Sequence, residues 1–302
     1  MTAFQAPHDV SVCVCIPTFN RPDGLRIALD GLCAQDLKIP FAVVVANNLP
    51  GDSRVGAVID AFKDRLDVHL TDVTERGVSA VRNQAIAVAL AQFPALQWIA
   101  FQDDDEVAAP GWLSALINTG VQWDGDLIGG AVTAHGQDSS AVSALRHTYR
   151  KPPNGPVALL AGTNSLLVKA DFIRGAGRDL FRLDYGASGG EDYEMFRFAA
   201  KRQAKMIWSN DAVINEYWPA ERSQLKTVLK REFNKGLYMA RVDLEYDGAL
   251  KTAVASARAL ASIIRLKAPS LRAVPVLVAL KLYFFAGRLA GQLGAQSGAY
   301  AR

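Results

Sequence analysis

Four short runs of β-branched and apolar residues recur through the first hundred positions of this 302-residue chain: VSVCVCIP (10–17), FAVVVANN (41–48), LDVHLTDV (66–73) and WIAFQ (98–102). Helical patterns fill the intervals. RPDGLRIALDGLCAQ (21–35) follows the first run, a weaker pattern runs from Ser53 to Arg65, and Val78 to Phe93 places Val78, Val81, Ala85, Val88 and Ala89 on one face. Strands alternating with helices of this length read as βαβ units, so the sequence predicts an α/β domain on a mostly parallel sheet. Ligands of such sheets bind outside the carboxyl ends of the strands. Three polar elements fall at those ends: Thr18 to Asn20, Asn47 with Asn48, and the acids that begin at Asp103.

The acids are the least ordinary of the three. Asp103, Asp104, Asp105 and Glu106 are consecutive and directly follow the fourth strand. Carboxylates crowded together raise one another's pKa unless cations or donors compensate, so the run asks for a partner. Aspartates at this spacing suit a hard divalent cation, Mg²⁺ or Mn²⁺, which prefers oxygen and usually shares one or two carboxylates with a substrate phosphate. Such a cation neutralises charge that develops on a departing diphosphate.

Beyond Pro110, placed for the first turn of a helix, the pattern is less regular. DLIGGAV (126–132) and TNSLLVK (163–169) read as strands around a loop at KPPNGP (151–156). GASGGEDYEMFRFAAKR (186–202) passes from a glycine-rich turn into a helix with Glu191 and Asp192 in its first turn, and 205–209 reads as a further strand. From about Arg222 the chain reads as helical. Charge divides there: residues 1–221 hold 19 Lys/Arg and 26 Asp/Glu, whereas 222–302 hold 14 and 4.

Other classes fit poorly. Cys13, Cys15 and Cys33 form no CxxC pair and read as reduced core thiols, and no basic stretch followed by an apolar one opens the chain as a signal peptide would. His8, His69, His135 and His147 have no ligand spacing. Neither GxGxxG nor GxxxxGK[ST] follows the first strand, against dinucleotide oxidoreductases and P-loop NTPases. The basic tail is as apolar as it is basic and adjoins an acidic part, which argues against nucleic acid as a partner.

IPTFNR at the first strand end, RGVSAVRN, FQDDD followed by PGWL, the GTN segment, and GGED followed by a helix occur in an order and spacing that resembles family 2 glycosyltransferases of GT-A fold. Within that family the chain is similar to bacterial enzymes that add single sugars to exopolysaccharide precursors of the succinoglycan type, over about residues 10–236. The resemblance implies a GT-A nucleotide-diphospho-sugar transferase fold in residues 1–221, with a nucleotide-binding half at about 10–105 and an acceptor-binding half at about 106–221. A basic amphipathic helical region, 222–302, follows.

By the same resemblance Pro17, Thr18 and Asn20 lie against the nucleotide, and Asp103 and Asp105 form the DxD pair. Asp105 binds the metal, Asp103 approaches ribose, sugar and metal, and Asp104 adjoins the nucleotide. Arg82 faces the diphosphate or donor pocket, and Asn83 holds the loop. Asp192 is the general base of an inverting transfer, with Glu191 its rival. The chain departs from the family in two places. The second strand ends Val45, Ala46, Asn47, Asn48 where many relatives carry an aspartate that reads uracil, so Asn47 and Asn48 are the residues left to read it. Near 216 many relatives carry a metal-binding histidine, and Glu216 either replaces it or is a surface carboxylate. The implied reaction moves one hexose, glucose expected, from a UDP-sugar to a lipid-linked saccharide with Mn²⁺ or Mg²⁺. The alternative is a non-catalytic nucleotide-sugar-binding or scaffold protein of a polysaccharide assembly complex.

Neither the QxxRW motif nor the spans of processive synthases are present. AVPVLVAL, eight uncharged residues before Lys281, is shorter than the ~20 needed to cross a bilayer. Apolar stripes with Lys and Arg beside them read instead as helices at an anionic membrane surface, or as a helical pair packed on the catalytic part or on a second copy. The expected location is the cytoplasm, at the inner face of the membrane, and a homodimer is open.

Overall fold

A computed structural model describes residues 10–135, 152–160, 162, 164–217, 220–266 and 270–295. Its first half is the βαβ series that the sequence predicts. β1 (Val12–Thr18), β2 (Phe41–Asn47), β3 (Asp67–Asp72) and β4 (Trp98–Phe101) are parallel in the order β3-β2-β1-β4, and α1 (Pro22–Cys33), α2 (Ser53–Phe62) and α3 (Val78–Gln92) connect them. Alternation along β1 divides the core in two. Cys13 and Cys15 face α3, packing with Ala85 and Ala89, while Val12, Val14 and Ile16 face Leu25 and Leu29 of α1.

The second half completes a nine-stranded mixed sheet. β5 (Glu106–Ala108), β6 (Leu127–His135), β7 (Gly155–Pro156), β8 (Leu166–Lys169) and β9 (Met206–Tyr217) extend the order past β4 as β8-β6-β9-β5, with β7 on the side of β9. β8 runs antiparallel to β4, and β5 antiparallel to β9. α4 (Trp112–Trp123), α5 (Ala170–Arg174), α6 (Leu183–Gly186) and α7 (Glu191–Lys201) lie among these strands. The strand expected at 205–209 is twelve residues long: Ser-Asn-Asp at 209–211 interrupts its apolar pattern yet bulges within it. Gly130 pairs with Ser209 and Ala131 with Val213, and Asn154 accepts from the Asn210 backbone at 2.7 Å. TNSLLVK yields only Leu166–Lys169 as strand, because Ser165 adopts φ 53°.

The expected C-terminal helices form a three-stave bundle. α8 (Leu225–Ala261) breaks at Gly248 (φ 78°, ψ 173°), and its second part turns back; α9 (Val274–Gln292) then runs alongside its first part. The helices approach backbone to backbone. A Cβ on Gly236 would strike the carbonyl oxygen of Phe284, and one on Gly287 that of Phe233. The first part of α8 also clamps α7. Tyr246 donates to the fully buried Glu194 at 2.6 Å, and Arg178 meets the same carboxylate at 2.9 and 2.8 Å. Asp243, also buried, accepts from Tyr193 at 2.8 Å, from Arg197, and from Arg288 of α9 at 2.8 Å. Burial of ion pairs such as these is tolerated only when each charge is met, so the network fixes the bundle's register on the catalytic part. Among the described residues Leu271–Gln292 is long and apolar enough to cross a membrane by length and composition, with mean hydropathy 1.6 and 22% of it buried.

Candidate active site

The candidate crevice lies at the carboxyl ends of β1, β2 and β4, whose polar residues the structure brings into contact. Thr18, the last residue of β1, donates through Oγ1 to Asp104 Oδ2 at 2.8 Å, and its carbonyl accepts from the Asn48 backbone at 2.9 Å. Pro17, half-buried, lies beside Ala46 in the sheet, and Asn20 follows with φ 54°, a conformation asparagine tolerates, its Oδ1 accepting from Arg54 at 2.7 Å.

Every acid of the run has a partner inside the protein. Asp104 is buried and accepts from Thr18 and from Arg21 at 3.1 Å; burial raises its pKa, against the pull of these two donors. Asp105 Oδ2 receives Arg21 and Arg222, each at 3.0 Å. Asp103 pairs with Arg82 at 3.1 Å. Glu106 is buried between the Asp103 backbone N–H, at 3.0 Å, and the amide of Asn164; burial, then Asp103, pushes its carboxyl well above the usual range. The compensation that the sequence reading assigns to a metal is thus supplied here by Arg21, Arg82 and Arg222.

Arg82 joins the two halves of the crevice. Placed early in α3, it is 4% exposed and reaches Asp103 with one nitrogen and Glu191 with the other, at 2.9 Å. Burial opposes its charge, but Asp103, Glu191 and Asp192 outweigh that cost and raise its pKa. Its guanidinium lies over Phe181, whose backbone exchanges two hydrogen bonds with Asn83, at 2.6 and 3.0 Å. Glu191 is buried, and burial together with Asp192 raises its pKa to about 7. Asp192, half-buried beside Gly162, makes no ion pair at contact distance among the described residues and accepts from the Tyr193 backbone at 2.6 Å. Burial raises its pKa too, while Arg82 lowers it.

Two asparagines are placed differently from their expected task. Asn47 is 1% exposed, donating to Asp72 at 2.9 Å and to Leu49 O at 2.6 Å while its Oδ1 accepts from the Leu49 backbone. Asn48 donates to Val73 O and Glu75 O and accepts from the Gly77 backbone. Both amides are spent on the loops after β2 and β3, and so shape the crevice rim.

Glu216 lies at the end of β9, where β5 pairs it opposite Glu106, and Arg222 reaches it at 3.3 Å. One guanidinium therefore spans Asp105 and Glu216. Among the described residues no three His, Cys, Asp or Glu side chains converge as a metal cage, because Asp103 turns to Arg82. Two carboxylates within one guanidinium's reach still suit Mg²⁺ or Mn²⁺, which takes its remaining ligands from phosphate and water. Arg21 and Arg222 are absent from the sequence reading's site. Arg21 stands within the IPTFNR motif itself; Arg222 lies one residue past the expected domain boundary and is joined to the crevice only by folding. His8, His147 and Thr163 are outside the described residues.

The family model for glycosyl transferase family 2 matches residues 13–182, which span β1 through α5. The succinoglycan biosynthesis protein ExoM of Rhizobium meliloti (strain 1021) is 26% identical over 254 residues, covering 81% of this chain and 78% of that protein. Among solved structures, S. aureus TarS 1–349 in complex with UDP matches with a TM-score of 0.56 at 14% identity, over 95% of this chain and 92% of its own. The mannosyltransferase PcManGT of Pyrobaculum calidifontis, in complex with GDP-Man and Mn²⁺, matches with 0.60 at 17%, over 96% and 89%. These likenesses show the GT-A fold. With the family model covering more than half of its length, strand ends of the crevice included, the chain belongs to glycosyl transferase family 2 and is a glycosyltransferase.

Proposed function

We propose that the protein is an inverting, metal-dependent enzyme that moves one hexose, glucose being the sugar expected, from a UDP-sugar to a lipid-linked saccharide. The setting is exopolysaccharide or other cell-surface polysaccharide biosynthesis at the inner face of the cytoplasmic membrane. One observation carries the reading: the Asp103–Arg82–Glu191 chain of ion pairs binds the acidic strand end to the helix that presents Asp192. The relatives support its parts. ExoM acts in succinoglycan biosynthesis, TarS is seen with UDP and UDP-GlcNAc, and PcManGT with GDP-Man and Mn²⁺.

In this reading Asp192 is the base, since Glu191 is already bound to Arg82. Its carboxylate removes the proton of the acceptor hydroxyl while that oxygen attacks the anomeric carbon. The bond from that carbon to the diphosphate breaks with its electron pair leaving on oxygen, and configuration inverts. Arg82 keeps Glu191 and Asp103 in place and presents positive charge toward the donor side. Asp105 and Glu216 would hold the cation, which when bound neutralises charge on the leaving diphosphate.

Membrane contact through 222–302 belongs to the same reading. The last acid of the chain is Asp247. Beyond it α8 exposes Leu250, Val254 and, just past its end, Ile264, at helical spacing; Leu282 and Leu289 do the same along α9, with Leu271 just before it and Leu293 just after it. Lys251, Arg258, Arg265 and Arg272 lie beside these stripes, the composition of a helix held in an anionic interface. α9 is read as lying on the bilayer, because Arg288 is locked to Asp243 and Lys281 falls at the middle of the apolar segment, where a lysine costs ~2.5–3.5 kcal/mol or more.

The test is a panel of nucleotide sugars, each with Mn²⁺, for thermal stabilisation and transfer. UDP-glucose should stabilise the protein and donate; stabilisation by a different nucleotide would overturn the uridine assignment. Asp192→Asn should bind UDP with parental affinity and lose transfer by about 10²–10⁴-fold, and an active variant would remove Asp192 from the role.

A further inference from the structure

An open groove of about 530 Å³ lies between the first turns of α8 and the middle of α9. Leu225, Leu229 and Phe233, four residues apart on α8, form an apolar floor with Tyr283 of α9; Lys226 and Lys230 line one edge at the same spacing. No carboxylate is among the lining residues. The groove begins three residues after Arg222, whose guanidinium holds Asp105 and Glu216, and its α8 side runs for about 12 Å of helix from there.

We propose that this groove receives the phosphate-bearing end of the acceptor lipid. The inference rests on the lipid-linked acceptor of the proposed function and gives it a site. An apolar floor alone would suit a peptide or a second copy of the chain. Two lysines set side by side along an apolar floor fit an amphiphile with an anionic head, and the same bundle carries the uncovered apolar stripes and basic rim of an interfacial module. With the phosphates at Lys226 and Lys230 and the hydrocarbon along Leu229, Phe233 and Tyr283, the saccharide end points back toward Arg222 and the crevice.

The test uses the full chain saturated with UDP and Mn²⁺, so that the crevice itself is filled, and follows binding by calorimetry on adding farnesyl diphosphate, farnesol or inorganic diphosphate. Farnesyl diphosphate should bind saturably, and the other two at least about tenfold more weakly, since each lacks half of the match. K226E/K230E should weaken farnesyl diphosphate by about tenfold or more, and Tyr283→Ala severalfold, with unchanged melting temperature and UDP affinity. Equal binding of inorganic diphosphate, no binding of farnesyl diphosphate, or K226E/K230E binding it like the parent would overturn the assignment. UDP calorimetry on the same samples separates that outcome from failure of the donor reading: lost UDP binding in the parent sinks the latter, whereas intact UDP binding without the lipid response sinks only the groove.

Discussion

Arg222 sits where a metal-dependent reading puts a cation. It and Arg21 meet one oxygen of Asp105, and Arg222 extends to Glu216, so a metal entering between those carboxylates competes with a guanidinium. Partly exposed ion pairs are worth ~0.2–1 kcal/mol, which sets the scale of the competition. Arg222→Ala should therefore tighten Mn²⁺ binding in the absence of nucleotide by about two- to fivefold, and Asp105→Ala should weaken it, as read by Mn²⁺ EPR; an Asp105→Ala protein with parental affinity would end the metal assignment. Protonation supplies a second residue-level consequence. Because burial raises the Asp192 pKa, the acid limb of the transfer profile should lie above the ordinary aspartate value, with activity lost as pH falls through it; a limb at or below that value would exclude Asp192 as the base. Motif residues at strand ends were legible from sequence because a strand end is a local property. The partners of the acids were not: Arg82, Arg222 and Asn164 reach them across 21, 117 and 58 positions of chain, and only the fold makes those distances short.

At the scale of elements, the position of Asp192 depends on how α7 begins. Gly190 precedes the helix with φ 98°, and a Cβ there would press on the ring and Cβ of Tyr238 in α8. Left-handed backbone costs a non-glycine residue about 1–2 kcal/mol, before any overlap. Gly190→Ala should lower unfolding free energy by about 1–3 kcal/mol in urea denaturation and depress transfer more than UDP affinity, since the first turn of α7 carries Asp192 while β1 and β4 are untouched. Equal loss of donor binding would show that the turn supports the nucleotide half as well. The parallel half of the sheet was readable because long β-branched runs separated by amphipathic helices leave few alternatives. β5 was not: three residues show no periodicity, and it is a strand only because β9 lies alongside. Only the start of β9 is legible in sequence, because its bulge carries Ser209, Asn210 and Asp211, residues that elsewhere mark a loop.

Across the whole molecule, charge and apolarity are sorted between parts that are nevertheless bound together. Deleting the bundle would not isolate its membrane role, because loss of Arg288 leaves Asp243 buried with fewer donors and loosens α7 through Tyr193 and Arg197. Substitutions on the uncovered stripes avoid that coupling. Ile264 and Leu271 are 88% and 92% exposed, so I264E/L271E removes apolar contact with lipid while leaving the interior unchanged. The parent should sediment with vesicles containing phosphatidylserine, less with purely zwitterionic ones, and progressively less as salt screens the rim of Lys and Arg. I264E/L271E should lose about tenfold or more of that binding at unchanged melting temperature and UDP affinity. Parental sedimentation of this variant would mean that the stripes face another protein surface, and the three-stave bundle would then be a support for α7 rather than a means of bringing the crevice to a lipid acceptor.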